Sequence, residues 1–263
     1  MTQPSATTTP LHTMQPVSRF SNRAADYAKY RPSYPDAAID TVLENLGEPS
    51  QLMAADIGAG TGISSRLLAE RGVQVLAIEP NVAMRQMAQP HPRVEFREGT
   101  AQQTQLPNTL VDLVTCFQSF HWFEPKSSLA EFHRILKPSG RLALVWNDRD
   151  QEDEFQRGYS QLVRLVSKNH PAEQRLVSVN PLFSSPHFVQ VRRHVVAGYR
   201  QAVDLPSLVG RAKSTSYVPQ AGPGQEQLIS GLQELHARFC DAQGLVYLVY
   251  NTSIYLAVPS ASW

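Results

Sequence analysis

Cysteine is scarce in this sequence: 263 residues contain two, Cys116 and Cys240. They lie far apart and belong to no metal-ligand spacing, so neither a disulfide framework nor a metal site is expected. Such sparing use fits a reducing, cytoplasmic compartment. Cys116 stands among Leu113, Val114 and Phe117 and reads as a buried thiol. An excess of charge is also missing. Twenty-four basic residues nearly cancel 23 acidic ones, for a net charge of +1, and no block of like charge stands out. That argues against a nucleic-acid backbone or an anionic membrane as a partner. No stretch reaches the roughly 20 apolar residues of a membrane helix. Residues 1–18 are rich in Thr, Pro, Ser and Gln and lack the apolar region of a secretory signal; a disordered tail is expected there. No internal repeat is visible.

What the chain does have is enough apolar residues, 42%, to fill a full-sized core without staples. Short apolar runs alternate with helical patterns. Pro35 opens a helix through Ile39, Val42, Leu43 and Leu46 that Gly47 ends. Strands are expected at 52–57, 73–78, 94–96, 110–117 and 141–146. Helices are expected around Leu67–Ala69, around Met84 and Met87, and through Leu129, Phe132, Ile135 and Leu136, where Lys137-Pro138-Ser139-Gly140 makes a turn. Strands that are apolar on both faces and separated by helices predict a doubly wound, mostly parallel α/β sheet. After Asn147 the pattern loosens. Helices at 155–166 and 228–239, strands at 188–196 and 245–258, and loops at 167–187 and 217–224 are expected.

The most informative segment joins the first strand to the next helix: Asp56-Ile57-Gly58-Ala59-Gly60-Thr61-Gly62. Glycines allow a sharp turn and a close approach of ligand to backbone, and the following helix offers free N–H groups. Glu79 closes the second strand, where a carboxylate can accept both hydroxyls of a ribose. A nucleotide-type ligand across the carboxyl ends of the strands follows. The dinucleotide fingerprint would want glycine at 63, and this chain has Ile63. An NAD(P)-dependent oxidoreductase is the alternative that this spacing disfavours.

The G-x-G-x-G spacing resembles the cofactor loop of class I S-adenosylmethionine-dependent methyltransferases. Pro80 and Met84, Gly99-Thr100-Ala101, Leu106-Pro107, Val111-Asp112-Leu113-Val114 and Lys137-Pro138-Ser139-Gly140 continue the likeness over about residues 50–147. The resemblance implies a seven-stranded Rossmann-like methyltransferase sheet with S-adenosyl-L-methionine as cofactor. It implies that Asp56, Gly58, Ala59, Gly60 and Gly62 contact the methionine part and Glu79 the ribose. Pro80, Met84, Thr100 and Ala101 would lie along the adenine, with Gln118 and Ser119 at the end of the fourth strand. Relatives often carry an acid where Thr100 stands, so adenine recognition there would rest on the main chain or on the Thr100 hydroxyl.

The run Gln118-Ser119-Phe120-His121-Trp122-Phe123 occupies the reacting end. It carries neither the Asn/Asp-Pro-Pro-aromatic motif of nucleic-acid amino methyltransferases nor a Pro-Cys nucleophile. Together with Phe20 to Pro35, Gly198 to Tyr217 and Tyr247 to Leu256 it resembles the subgroup that includes trans-aconitate methyltransferase-like proteins. The expected acceptor is a small molecule bearing a carboxylate, hydroxyl or amine. His121 would serve as base for a hydroxyl or amine, or would only orient its neighbours. Arg31 would clamp an acidic substrate or the cofactor carboxylate, or lie on the surface. Tyr27, Tyr30 and Tyr34 would wall the pocket with Trp122, or simply pack. A protein that binds the cofactor without turnover is the third possibility. The expected organisation is a tail over 1–18, a cofactor-binding core with an N-terminal helical lid over 19–150, and a substrate-covering addition with the final strands over 151–263.

Overall fold

The computed structural model describes residues 10–14, 18–170 and 179–261. Five parallel strands make the centre: β1 (Met53–Ile57), β2 (Gln74–Ile78), β3 (Val94–Arg97), β4 (Val111–Phe117) and β5 (Leu136–Arg149). β6 (Phe188–Val203) and β7 (Val246–Pro259) are antiparallel additions, giving the order β3-β2-β1-β4-β5-β7-β6. The fold is the doubly wound, mostly parallel α/β sheet that the sequence pattern predicts, with the seven strands that the resemblance implies. Strand order reverses between β1 and β4, and a ligand crevice opens at such a switch point.

Side chains alternate across the strands with period two, and each face meets its own helices. Ala55, Ile57, Val114, Cys116, Leu142, Leu144, Tyr255 and Ala257 fill one face with Leu129, Phe132 and Ile135 of α5 (Pro125–Ile135). Ala54, Val75, Leu113, Ala143, Val145, Ile254 and Leu256 fill the other. There they pack on α2 (Asp36–Leu43) and α3 (Ile63–Glu70). A third cluster joins α6 (Glu154–Val166), α8 (Leu205–Lys213) and α9 (Pro223–Phe239) to the start of β7.

Several elements differ from expectation. Lys137-Pro138-Ser139-Gly140 is not a turn between elements but an irregularity inside β5: Val111 faces Leu136, and Leu113 already faces Arg141. Gly140 is required there, since a Cβ would come within 2.9 Å of the Asp112 and Lys137 carbonyls. Leu136 consequently starts β5 instead of ending α5. β6 runs to Val203, beyond the expected 196. The expected loop at 167–187 contains the one-turn α7 (Asn180–Phe183), and residues 171–178 lie outside the described residues. α9 begins at Pro223, inside the loop expected at 217–224. The tail expected over 1–18 lies outside the described residues except for 10–14 and 18, where Leu11–Thr13 form a single 3-10 turn.

The N-terminal segment is tied to the C-terminal part, including the edge strand β6, where Gln201 Nε2 donates to the Tyr30 carbonyl at 3.2 Å. A 3-10 turn (Ser18–Arg23) leads into α1 (Ala24–Tyr30). The Arg23 guanidinium donates to the carbonyls of Val218 (3.0 Å), Lys213 (3.4 Å) and Thr215, and Arg31 Nη2 donates to the Ser214 carbonyl at 2.9 Å. Guanidinium groups thus satisfy the orphan carbonyls where α8 ends. Tyr30 lies flat on Gly210 of α8, where an added Cβ would meet its ring at 2.3 Å.

Candidate active site

β1 delivers the glycine loop to the switch point. The loop is held to β2 by Gly58 and Ala59 N–H groups donating to the Ile78 carbonyl, at 2.8 and 3.2 Å. Period two turns Asp56 to the same side as Ala54, toward α3, and not into the crevice. It is fully buried and accepts from Ser64, Ser65 and Thr115 hydroxyls at 2.7, 2.6 and 2.8 Å. Its carboxylate therefore braces loop against helix, and burial raises its pKa against those three bonds.

Gly58, Gly60 and Gly62 all have positive φ, but they do different things. A Cβ on Gly58 would lie 2.8 Å from Ser119 Cβ, and one on Gly60 would lie 3.2 Å from Met84 Cε, both at the crevice. Gly62 caps α3, and a Cβ there would strike the Phe96 ring at 2.8 Å. Its glycine is demanded by packing.

Glu79 ends β2 with each carboxylate oxygen holding one main-chain donor: Gly60 N–H at 2.9 Å and Asn81 N–H at 2.9 Å. Each oxygen keeps acceptor capacity for one more donor, which is what the two hydroxyls of a ribose supply. Glu79 is buried, and burial raises its pKa, while the Asn81 and Gly60 N–H bonds act the other way. Asn81 also caps α4 (Val82–Gln86) through its side chain.

Around these residues opens a cavity of about 350 Å³. Of the residues expected from sequence, Tyr27, Gly58, Gly60, Glu79, Pro80, Met84, Thr100, Ala101, Gln118, Ser119 and Trp122 line it. Ser119 Oγ donates to the Ile57 carbonyl at 2.7 Å and Gln118 Nε2 to the Asn147 carbonyl at 3.0 Å. Gln118 sits at φ +54°, a conformation uncommon for a residue with a side chain. Thr100 closes a turn in which its N–H donates to the Gln103 carbonyl at 3.0 Å, so the main-chain donor is engaged and the hydroxyl hydrogen remains to donate. An aromatic wall stands at the open side: Phe20 packs edge-on against Tyr27 (6.0 Å) and Trp122 (5.9 Å).

Other expected residues lie elsewhere. His121 does not line the cavity; it is buried, and its Nδ1 accepts from Trp146 Nε1 at 3.3 Å. That bond engages the Nδ1 lone pair. Tyr30 is packed under α8, and Tyr34 packs against Phe117 at 4.7 Å. Ala59 and Arg31 line a small adjoining cavity instead, and the Arg31 guanidinium stacks 4.6 Å from the Tyr27 ring. Sequence reading missed His12, Phe20, Asn81, Gln102, Phe117, Phe123 and Glu124 as cavity residues. Phe123 and Glu124 follow directly on the strand-four run, and Phe20 belongs to the aromatic N-terminal segment. His12 has no sequence signal. Cys116 is buried with its pKa raised well above the usual thiol value by burial, so it offers no nucleophilic thiolate. Among the described residues no cluster of His, Cys, Asp or Glu could hold a metal ion, and no helix is long and apolar enough to cross a membrane.

Residues 55–144 match the model of a methyltransferase domain family, a span that runs from β1 through the glycine loop and Glu79 into β5. An uncharacterized methyltransferase of Mycobacterium tuberculosis is 33% identical over 178 residues, 67% of this chain and 68% of that protein. The chain belongs to the class I S-adenosylmethionine-dependent methyltransferases. S-adenosylmethionine is the cofactor of this family, which leaves no place for the nicotinamide alternative. A second methyltransferase relative, from Schizosaccharomyces pombe, is 34% identical over 146 residues, 55% of this chain and 58% of its own length. Among solved structures, one described as a methyltransferase from an antibiotic biosynthesis pathway of Anabaena variabilis aligns with a TM-score of 0.61. It is 24% identical and covers 87% of this chain and 98% of its own. At that identity the likeness concerns the methyltransferase fold alone.

Proposed function

We propose that this methyltransferase binds S-adenosylmethionine across the switch point and transfers its methyl group to a small-molecule acceptor. The observation that carries this reading is one cavity. Glycine-loop backbone, the Glu79 carboxylate and an aromatic wall all face the same 350 Å³. Glu79 would hold the ribose, with the Gly60 backbone beneath it. Pro80, Met84, Thr100 and Ala101 would lie along the adenine, and Gln118 and Ser119 beside the sulfonium. Bound there, the cofactor supplies an already activated methyl group. The remaining task of the chain is to align the acceptor and exclude water. Trp122, Tyr27 and Phe20 do this from the open side.

His121 enters as a positioning residue, since its Nδ1 is engaged by Trp146. The lining also holds His12 and Glu124, which can take a proton from a hydroxyl or amine, whereas a carboxylate acceptor is already ionised and needs no base. A carboxylate acceptor agrees with the resemblance to the trans-aconitate methyltransferase-like subgroup. Residues 19–150 form the cofactor-binding part in this reading, and 151–263 cover the substrate side. Two free cysteines, one buried and one exposed, suit a reducing compartment.

The test is calorimetry and thermal shift with S-adenosylmethionine, S-adenosylhomocysteine, NAD and NADP, followed by a screen of small acids. A ligand that binds only the folded chain raises Tm, by the equivalent of about 2.7 kcal/mol at a hundredfold excess over Kd. Binding of both adenosyl compounds and methyl transfer to an acid are expected. Binding of neither would overturn the cofactor placement; transfer only to a macromolecule would overturn the acceptor class.

A further inference from the structure

Beneath the glycine loop lies a second, much smaller cavity of about 30 Å³. Tyr27, Gly58, Phe117 and Gln118 line both cavities, so the two adjoin. A space of this size holds little more than one water, and thus one terminal polar group of a ligand rather than a whole one. Two guanidinium groups line it. Arg31 comes from the segment after α1, and Arg211 comes from α8 in the C-terminal part.

Arg211 is the unexplained one. It is 3% exposed, and none of the ion pairs among the described residues involves it. Its Nη1 makes a long bond to Thr215 Oγ1, 3.4 Å, its guanidinium also bonds to the Tyr250 side chain, and its Nε has no hydrogen-bond partner. The charged and polar groups that act on it are the hydroxyls of Tyr159 and Tyr250 and a second guanidinium, Arg149. A buried cation beside another cation and without an acid is costly unless an anion arrives to pair with it. The first turn of α3 adds its positive pole from the other wall, at Ile63 and Ser64.

We infer that Arg211 and Arg31 form a carboxylate-binding site under the glycine loop, filled by the carboxylate of the cofactor's amino-acid end. The inference rests on the cofactor placement proposed above. It assigns to the C-terminal part a direct hand in cofactor binding, in addition to covering the substrate side. An acidic acceptor offers the same chemistry, and the experiment separates the two sources.

Calorimetry on the full chain would compare S-adenosylmethionine with its decarboxylated form, which lacks only the carboxylate. The wild type is expected to prefer the carboxylated compound by about tenfold to a hundredfold, the strength of a charged hydrogen bond. Arg211→Met is expected to bring that ratio close to one while affinity for the decarboxylated form changes little. A companion arm records whether succinate raises the Tm of each protein saturated with S-adenosylhomocysteine. An undiminished ratio in Arg211→Met, with a succinate response lost from the variant, keeps the carboxylate site but gives it to an acidic acceptor. An undiminished ratio and an unchanged succinate response overturn the inference. Should Arg211→Met fail to fold, Arg211→Lys, which keeps the charge but loses the fork, is expected to narrow the ratio partway. The wild-type ratio needs no variant, and equal affinity for the two compounds overturns the cofactor source. A wild type that binds neither compound shows instead that the cofactor placement itself has failed.

Discussion

Glu79 carries the sharpest consequences at the scale of the residue. Its carboxylate lines the cavity with one acceptor site on each oxygen still open. Glu79→Ala is expected to weaken S-adenosylmethionine binding by about 1–3 kcal/mol, measured by calorimetry. The pH dependence has a definite sign. Burial raises the Glu79 pKa, so the carboxyl takes up a proton at higher pH than an exposed glutamate does. Protonation replaces an acceptor by a donor. Cofactor affinity should therefore fall as pH drops from neutrality through that raised value, and Glu79→Gln should flatten the fall. The folding contribution runs the opposite way: it is present below the unfolded value and lost as pH rises through the folded one. Gly60→Arg makes a second test. At φ +60°, with Met84 Cε only 3.2 Å from where a Cβ would sit, any long side chain enters the cavity. Loss of cofactor binding with the cooperative thermal transition retained is expected. Both residues were legible in the sequence, because a loop between a buried strand and a helix constrains its chemistry locally. Asp56 and Gly62 belong to the same motif but serve folding: the first braces α3, and the second avoids Phe96. Spacing alone does not separate ligand contact from loop support, since both need the same residue types at the same turn.

Among the elements, the five parallel strands and α2, α3, α5, α6 and α9 were readable from apolar periodicity, because each buries a continuous stripe. α8 was not. Its sequence, Leu205 to Lys213, is short and is interrupted by Pro206 and Gly210, which read as breakers in isolation. In the fold Pro206 opens the helix behind the Asp204 cap, and Gly210 is the seat of the Tyr30 ring. The partner that explains the glycine lies 180 residues away, beyond any local pattern. This seat matters to the site, since Tyr27 and Arg31 belong to the same short segment as Tyr30. Gly210→Ala puts a methyl 2.3 Å from the ring, so α1 must shift. The expected cost is about 1–3 kcal/mol of stability, as for other overpacked positions, together with weaker cofactor binding. Tyr30→Leu in the same chain should restore a good part of both. Urea denaturation and calorimetry on the two single variants and the double variant would measure this coupling, and simple additivity would show that α8 does not position α1.

Taken as a whole molecule, the chain cannot be cut where its sequence pattern changes. The regular alternation of strand and helix ends near residue 150, yet β7 enters the sheet beside β5 from more than 90 residues later. It pairs continuously from Leu142↔Ala257 to Arg149↔Tyr250. Ile254 and Leu256 fill the face shared with α2, and Tyr255 and Ala257 fill the face shared with α5. Without β7, the fully buried Leu142, Ala143, Leu144 and Val145 would stand on an open sheet edge. The N-terminal segment would lose part of its moorings as well, because Arg23 and Arg31 bond to carbonyls at 213–218. A chain ended at residue 150 is therefore expected to lack a cooperative urea transition and to bind no S-adenosylmethionine, although it keeps the glycine loop, Glu79 and Gln118. A cooperative transition with retained binding would show that the cofactor part folds alone and that the C-terminal strands are an accessory. The geometry argues otherwise: the residues that line the larger cavity fall between His12 and Glu124, in the first half of the chain, while the contacts that hold them in place come from both ends.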